Sequence, residues 1–162
     1  MTKKINTKLT KLLKYYNLIN YNLIYDNQSI NRYKKNKANI SGNKELLLKN
    51  LENSIENIKN CELKKNATDI VFADGHPDSK IMIVAEGPGA SEDEEGLPFL
   101  GRAGKLLDKM LHSINLSRDS VYITNVVNYR PPENRRPTEN EIKRYLPFLI
   151  NHIEIINPKI LI

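Results

Sequence analysis

Short apolar runs recur along the chain from residue 70 onward. The runs at 81–85 and 121–127 are rich in β-branched residues and bounded by turn residues, which predicts buried strands. A run at 70–73 before the turn Asp74-Gly75 and a run at 159–162 after a proline predict two more. Strands are therefore expected at four places.

Between these runs, apolar residues recur every three or four positions, which predicts helices over about 44–59, 101–114 and 139–156. The last helix should begin at a capping box, Thr138 to Glu141, and end at Asn157-Pro158. The stripes expected to face inward are Leu47, Leu51, Ile55 and Ile58 in the first helix; Leu106, Leu107, Met110, Leu111 and Ile114 in the second; and Ile142, Leu146, Leu149, Ile153 and Ile156 in the third.

The alternation of strands and helices predicts the fold class α/β, a three-layer α/β/α sandwich around a parallel sheet with right-handed crossovers. A complete doubly wound domain would continue through further helices and strands after the run at 159–162. We therefore expect the domain to be truncated.

Positive charge is concentrated in the first third of the chain. Residues 1–50 carry eleven Lys and Arg against two acids, a net +9, whereas the remainder carries fourteen against seventeen, a net −3. Residues 1–43 are interpreted as a basic extension rich in Asn, Lys and Tyr, with one amphipathic helix around Leu9 to Ile19, ahead of a domain over 44–162. The extension either attracts nucleic acid phosphates or is a solvated tail.

The chain length of 162 residues suits one modest domain. No apolar run is long enough for a transmembrane helix, so no membrane partner is expected. The single cysteine, Cys61, excludes an internal disulfide and fits a reducing cytoplasm, which is the expected location. Oligomeric state is left open.

A glycine-rich loop, Glu86-Gly87-Pro88-Gly89, follows the run at 81–85, where open α/β folds bind ligands. It is neither a Walker A loop nor a GxGxxG motif. The loop alone therefore fits a tight turn with a solvated acidic face over 92–95, a nucleotide site, or another ligand site.

Three ordered blocks are more specific. They read AEGPGASED with GLPFLGRAG from residue 85, VYITNVV from 121, and RPPENRRPT from 130. Over about residues 61–162 their order and spacing resemble the family 4 uracil-DNA glycosylases. The resemblance implies a uracil-DNA glycosylase-like fold, uracil-containing DNA as partner, and hydrolysis of the N-glycosidic bond of uracil in base excision repair.

By this resemblance, Phe99 stacks on uracil and Asn125 reads O4 and N3–H with its amide, which carries both acceptor and donors. Glu86 positions water or stabilises the sugar cation, the backbone at Gly87 holds the base, and Glu92 has a weaker role. The residues alone leave other roles open: a core anchor for Phe99, a loop cap for Asn125, and an ordinary loop carboxylate for Glu86.

The proline-rich loop after the third block should lie at the same edge of the sheet. Its candidate DNA contacts are Arg130, Asn134, Arg135 and Arg136, because guanidinium forks match phosphate oxygens. Ordinary surface ion pairs are the alternative. In the acidic run, Asp93, Glu94 and Glu95 are expected to be solvated.

Members of this family bind a [4Fe–4S] cluster through four cysteines. Here Cys61 is the remaining ligand, and the other positions hold Lys64, Tyr129 and Tyr145. One thiolate cannot hold a cluster that takes four, so we expect no metal and no cofactor.

The resemblance also places a histidine for the uracil O2 after Ile162, so the activity of this chain is expected to be reduced or absent. The alternative function is a non-catalytic DNA-binding or DNA-polymerase-associated module that uses the basic extension.

Overall fold

A four-stranded sheet lies at the centre of the computed structural model, which describes residues 44–162. Its strands are β1 (Ala73–Gly75), β2 (Ile81–Ala85), β3 (Tyr122–Asn125) and β4 (Ile160–Leu161). They lie in the order β1, β3, β2, β4. Strands β2, β3 and β4 are parallel, and β1 is antiparallel at one edge. The predicted α/β class is confirmed, with an antiparallel edge strand that the pattern did not indicate.

The first strand begins later than predicted. Val71 is buried but lies outside the sheet, and its N–H donates to the carbonyl of Asn128 at 2.8 Å. The strand instead contains Asp74 and Gly75, which the sequence suggested as a turn. The prediction of a strand at 70–73 is therefore corrected, because the main chain of that run pairs with the segment after β3 rather than within the sheet.

The helices are α1 (Lys44–Glu56), α2 (Glu62–Asn66), α3 (Ala90–Glu95), α4 (Arg102–Ser113) and α5 (Glu139–Ile156). Three-ten turns span Arg118–Ser120 and Pro132–Asn134. The three predicted helices are confirmed, and α2 and α3 were not predicted. The capping box forms as expected: Thr138 N–H donates to Glu141 Oε2 at 2.7 Å, and Glu141 N–H donates to Thr138 Oγ1 at 3.3 Å. Asn157 ends α5 in the left-handed conformation.

Successive residues of a strand point to opposite faces of the sheet, and here the two faces have separate cores. Met82 joins an apolar cluster with residues of α1 and α5. Ile83 and Ile123 join another with Leu111 of α4. Helices therefore cover both faces, which confirms the three-layer sandwich.

The rotation of α4 differs from the prediction. Leu111 is buried and Leu107 half-buried, but Leu106, Met110 and Ile114 are 59%, 59% and 62% exposed. The helix carries two adjacent apolar stripes, and only the one in line with the buried Gly104 faces the sheet.

Two other predicted faces need smaller corrections. In α1 the buried residues are Leu48, Leu51 and Ile55, and Leu47 is only half-buried. In α5 the exposed Leu146 was predicted to be inward, whereas Tyr145 is completely buried.

The predicted basic extension with its amphipathic helix lies outside the described residues and stays a prediction. Within residues 44–162, no helix is long and apolar enough to cross a membrane.

Candidate active site

The ends of β2 and β3 meet at one edge of the sheet. Ala85 is paired in register with Asn125, the last residue of β3. Past the strands, Val126 N–H donates to the carbonyl of Ala85 at 2.7 Å, and Val127 N–H donates to that of Glu86 at 3.3 Å. The glycine loop and the segment after Asn125 therefore continue side by side, as expected for the carboxyl ends of parallel strands.

The side chain of Asn125 is buried, and its amide nitrogen makes no hydrogen bond within residues 44–162. The residue is 3% exposed. Its Nδ2 is, among the described residues, the buried side-chain nitrogen or oxygen that lacks a hydrogen-bond partner. A buried amide donor without an acceptor costs free energy, so such groups are rare in folded proteins and mark candidate sites for a ligand.

Nearby Asn128 shows the contrast. It is equally buried, at 3% exposure. Its Nδ2 donates to the carbonyl of Val71 at 3.1 Å and lies 3.5 Å from that of Phe72. Asn128 is thus a structural amide that ties the segment after β3 to the chain before β1.

Gly87 brings the proline-rich loop against the glycine loop. A Cβ built on Gly87 would lie 2.8 Å from Val127 Cγ2, 3.6 Å from Pro137 Cγ and 3.9 Å from Pro131 Cδ. The first separation is shorter than real Cβ contacts, so the position requires glycine at this packing. The loop over 130–137 therefore borders the site, as predicted.

Glu92 joins the two ends of the segment that carries Phe99. Its carboxylate accepts from the N–H groups of Gly89 at 3.1 Å, Leu100 at 2.9 Å and Gly101 at 2.8 Å. Burial alone would raise the pKa of Glu92, but these backbone donors hold it below its usual value. The structure thus places Glu92 as the residue that closes this loop.

Phe99 lies on that loop in a left-handed conformation, with φ of 56°. It is half-buried and packs against the apolar cluster of Ile83, Leu111 and Ile123. A ring packed in this way is held by the sheet while part of the residue remains exposed. This arrangement is compatible with either role considered for Phe99.

The arginines of the proline-rich loop differ in their partners. Arg130 Nε donates to Asn134 Oδ1 at 2.8 Å. Arg135 makes a double hydrogen bond with Glu141, at 2.9 and 2.7 Å. This fork, together with the cap at Thr138, lowers the pKa of Glu141 to about 2. Three candidate DNA contacts, Arg130, Asn134 and Arg135, therefore have partners within the described chain.

Arg136 and Glu86 are the more open pair. The side chain of Arg136 is 90% exposed, and its Nε lies 3.9 Å from Glu86 Oε2. The carboxylate of Glu86 is itself 53% exposed. The two side chains are close enough for attraction and open enough to receive a ligand.

The expectation that Asp93 is solvated is wrong. Asp93 is 2% exposed. Its carboxylate accepts from the Thr68 N–H at 2.9 Å and the Thr68 hydroxyl at 3.1 Å, and lies 3.7 Å from Arg130 Nη1. The acidic run alone could not reveal this, because the partners are 25 and 37 positions away in the chain.

A second unexpected buried group is His152. Its Nε2 lies 2.7 Å from the Tyr122 hydroxyl, and its ring stacks on Phe72 with centroids 4.7 Å apart. Burial lowers the pKa of His152 to about 4. Helical spacing did place it on α5, but nothing in the sequence indicated a polar core residue there.

The residues at the positions of the family's iron–sulfur ligands do not fit a cluster. Cys61, Tyr129 and Tyr145 share one buried apolar cluster, and Cys61 Sγ lies 3.2 Å from the Tyr145 hydroxyl. Burial raises the pKa of Tyr129 to about 12 and also raises that of Tyr145, so both phenols stay neutral at pH 7. Lys64 is exposed and donates to the carbonyl of Glu56. Residues 44–162 contain no group of three or more His, Cys, Asp or Glu placed to hold a metal.

Comparisons with known proteins relate the chain to a family. A sequence profile described as the uracil DNA glycosylase superfamily matches residues 72–162. The chain is 47% identical over 71% of its length to a type-4 uracil-DNA glycosylase of Sulfurisphaera tokodaii, and covers 53% of that protein. It is 42% identical over 74% of its length to the type-4 enzyme of Thermotoga maritima, and covers 62% of it. The chain thus spans somewhat more than half the length of these relatives.

A further match concerns a protein of another name. The chain is 39% identical over 54% of its length to a DNA polymerase of Bacillus phage SP01, of which it covers 10%. A region similar to this chain therefore also occurs as a small part of a much longer protein.

Proposed function

The chain belongs to the uracil DNA glycosylase superfamily, and we propose that it binds uracil in DNA and hydrolyses the bond between the base and the sugar. Such an enzyme takes its base out of the stack and reads it in a pocket. The relatives named type-4 uracil-DNA glycosylase support this activity class.

The unsatisfied amide of Asn125 is the observation that carries the proposal. Uracil presents a carbonyl oxygen at O4 and an N–H at N3, and an amide offers one donor and one acceptor side by side. Docking the O4 of uracil on Nδ2 gives the buried donor the partner that it lacks in the chain. Ligand binding would thereby remove the free-energy cost of the unpaired buried donor in the folded chain.

The remaining roles follow from position. Glu86 stands beside the end of β3 with an open carboxylate and can orient the attacking water or face the sugar as it gains positive charge. Glycine at 87 keeps the backbone accessible for the base. Phe99 supplies the stacking ring, and Glu92 keeps the Phe99 loop closed.

The reaction itself balances without a cofactor. The bond between C1′ and N1 breaks with its electron pair on the base, and the water oxygen becomes the hydroxyl on C1′. The proton released by water ends on the departing base. We infer that a single copy of this chain holds no iron–sulfur cluster, since its buried tyrosines fill the ligand positions.

For the DNA surface, we propose the proline-rich loop. Arg136 is the most exposed of its arginines, and Arg130, Asn134 and Arg135 supply phosphate contacts while keeping the loop in shape. A cytoplasmic location fits a DNA repair enzyme and remains part of the proposal.

The test is excision of uracil from a single-stranded oligonucleotide by the whole chain, by Asn125→Ala and by Asn128→Ala. Loss of the reading amide is expected to reduce the rate about a hundredfold or more. Asn128→Ala removes an equally buried amide with backbone partners, so it should lower stability and leave the folded enzyme's rate near that of the parent. A measurable parent rate that Asn125→Ala leaves unchanged would contradict the proposal.

A second candidate is a DNA-binding module attached to DNA synthesis, which the similarity to a phage DNA polymerase favours. It predicts DNA binding that depends on the basic extension and not on the pocket. Lys34, Lys35 and Lys37 form a cluster of lysines in the basic extension. Exchanging them for Gln should then weaken binding, whereas Phe99→Ala and Asn125→Ala should not.

A further inference from the structure

We propose that Arg118 is a positioning residue that sets the Phe99 ring for base stacking. The inference rests on the proposed uracil site. Arg118 lies outside the three sequence blocks that indicated that site, three residues before the second block begins at Val121. Arg118 begins a three-ten turn ahead of β3, and its guanidinium contacts the predicted pocket through main-chain carbonyls of the Phe99 loop.

The guanidinium of Arg118 binds the main chain of the Phe99 loop. Its Nη1 donates to the carbonyl of Pro98 at 3.1 Å, and its Nη2 donates to the carbonyl of Phe99. Two successive carbonyls bound by one planar group define the direction of the peptide that leads into and out of Phe99.

Two carboxylates hold the guanidinium in turn. Asp74 of β1 accepts from Nη1 at 2.5 Å, and Asp108 of α4 accepts from Nε at 2.8 Å. The side chain of Arg118 is only 23% exposed. The loop is thus tied through one cation to the edge strand of the sheet and to the helix on its face.

The carbonyl of Phe99 is also confined by the first turn of α4. A Cβ built on Gly104 would lie 1.7 Å from the Phe99 carbonyl oxygen, so the first turn of α4 sits directly against it. Phe99 itself has φ of 56°, a conformation that non-glycine residues seldom adopt. Arg118 and Gly104 together hold Phe99 in this conformation, and the backbone conformation sets the direction of the Cα–Cβ bond that carries the ring.

Lysine cannot replace this arrangement. A lysine ammonium keeps the positive charge between Asp74 and Asp108 but lacks the planar fork that meets two carbonyls and two carboxylates at once. Arg118→Lys therefore separates the geometric role from the charge. Arg144→Lys is the matched control, because Arg144 also donates to two successive carbonyls, those of Lys59 and Asn60, on a different part of the fold.

The experiment uses fluorine NMR to measure the binding of free 5-fluorouracil. The proteins compared are the whole chain, Arg118→Lys, Arg144→Lys, Phe99→Ala and the double variant that combines Arg118→Lys with Phe99→Ala. Arg118→Lys should weaken binding about tenfold, since a charge-assisted hydrogen bond that orients the ring is lost. The double variant should bind no more weakly than Phe99→Ala alone, because Arg118 acts through Phe99. Arg144→Lys should bind as the parent does.

Ring signals of carbon-13 labelled phenylalanine give a readout that needs no ligand. The chain has three phenylalanines, so the Phe99 signal is assigned from Phe99→Leu. It should shift and broaden in Arg118→Lys and stay unchanged in Arg144→Lys. An unchanged Phe99 signal, or losses of affinity that add in the double variant, would overturn the role of Arg118. Failure of the parent chain to bind 5-fluorouracil would instead count against the uracil site, while the ring signals still decide the role of Arg118.

Discussion

Cys61 Sγ and the Tyr145 hydroxyl lie 3.2 Å apart in the core between α1, α5 and the sheet. The two residues come from elements 84 positions apart in the chain. The family resemblance puts cluster ligands at these two positions. Here their side chains contact each other within the apolar core.

This contact predicts how the chain responds to iron. The purified chain, reconstituted with iron and sulfide, should gain no stoichiometric iron and no visible absorbance. The triple variant Lys64→Cys, Tyr129→Cys and Tyr145→Cys offers four thiols and should gain both. Iron analysis and absorbance decide the matter, and stoichiometric iron in the parent chain would show the prediction to be wrong.

A second prediction compares two buried amides by stability. Asn125→Leu removes an unsatisfied donor and keeps the branched heavy-atom shape of the side chain, so the free energy of unfolding should stay the same or rise. Asn128→Leu leaves the carbonyl of Val71 without its donor and should cost about 1–3 kcal/mol. Urea unfolding of both variants provides the measurement. A large loss in Asn125→Leu would mean that its amide has a structural role.

The packing at Gly87 gives a third prediction. Gly87→Ala drives a methyl group to 2.8 Å from Val127 Cγ2 and should cost about 1–3 kcal/mol. Adding Val127→Ala removes the opposing methyl and should return part of that loss. Thermal unfolding of the two single variants and the double variant tests this, and purely additive losses would argue against the contact.

The buried His152 predicts a pH dependence. Its pKa falls from 6.5 to about 4 on folding, so between these values the unfolded chain binds more protons than the folded one. The stability that neutral His152 contributes is fully present above pH 6.5 and is lost as the pH falls toward 4, by about 3 kcal/mol in total. Urea unfolding across this window should show the decline, and His152→Gln should flatten it. An equal slope in the variant would assign the decline to other groups.

Local pattern predicted much of this fold. Strands β2 and β3 and the capping box at Thr138 follow from β-branched runs and from cap chemistry, both of which are properties of adjacent residues. The position of Glu86 and Asn125 at one edge of the sheet then follows from the parallel arrangement of the two strands.

Features that depend on distant partners were missed. The rotation of α4 is set where Gly104 meets the Phe99 carbonyl, and two equally apolar stripes cannot reveal that contact. Asp93 and His152 are polar residues made acceptable in the core by Thr68 and Tyr122, which no local pattern connects to them. The partners of Arg118 are likewise distant in the chain, at Asp74 and in the Phe99 loop.

The three backbone bonds to Glu92 have a consequence for motion. They close the stretch from Gly89 to Gly101 into a loop whose two ends meet at one carboxylate. The amide protons of Gly89, Leu100 and Gly101 should therefore exchange with solvent at linked rates, as one cooperative unit, and accelerate together in Glu92→Gln. The Phe99 ring, proposed to stack on the base, would then enter and leave the pocket together with its whole loop, so that base binding and loop closure would be one event.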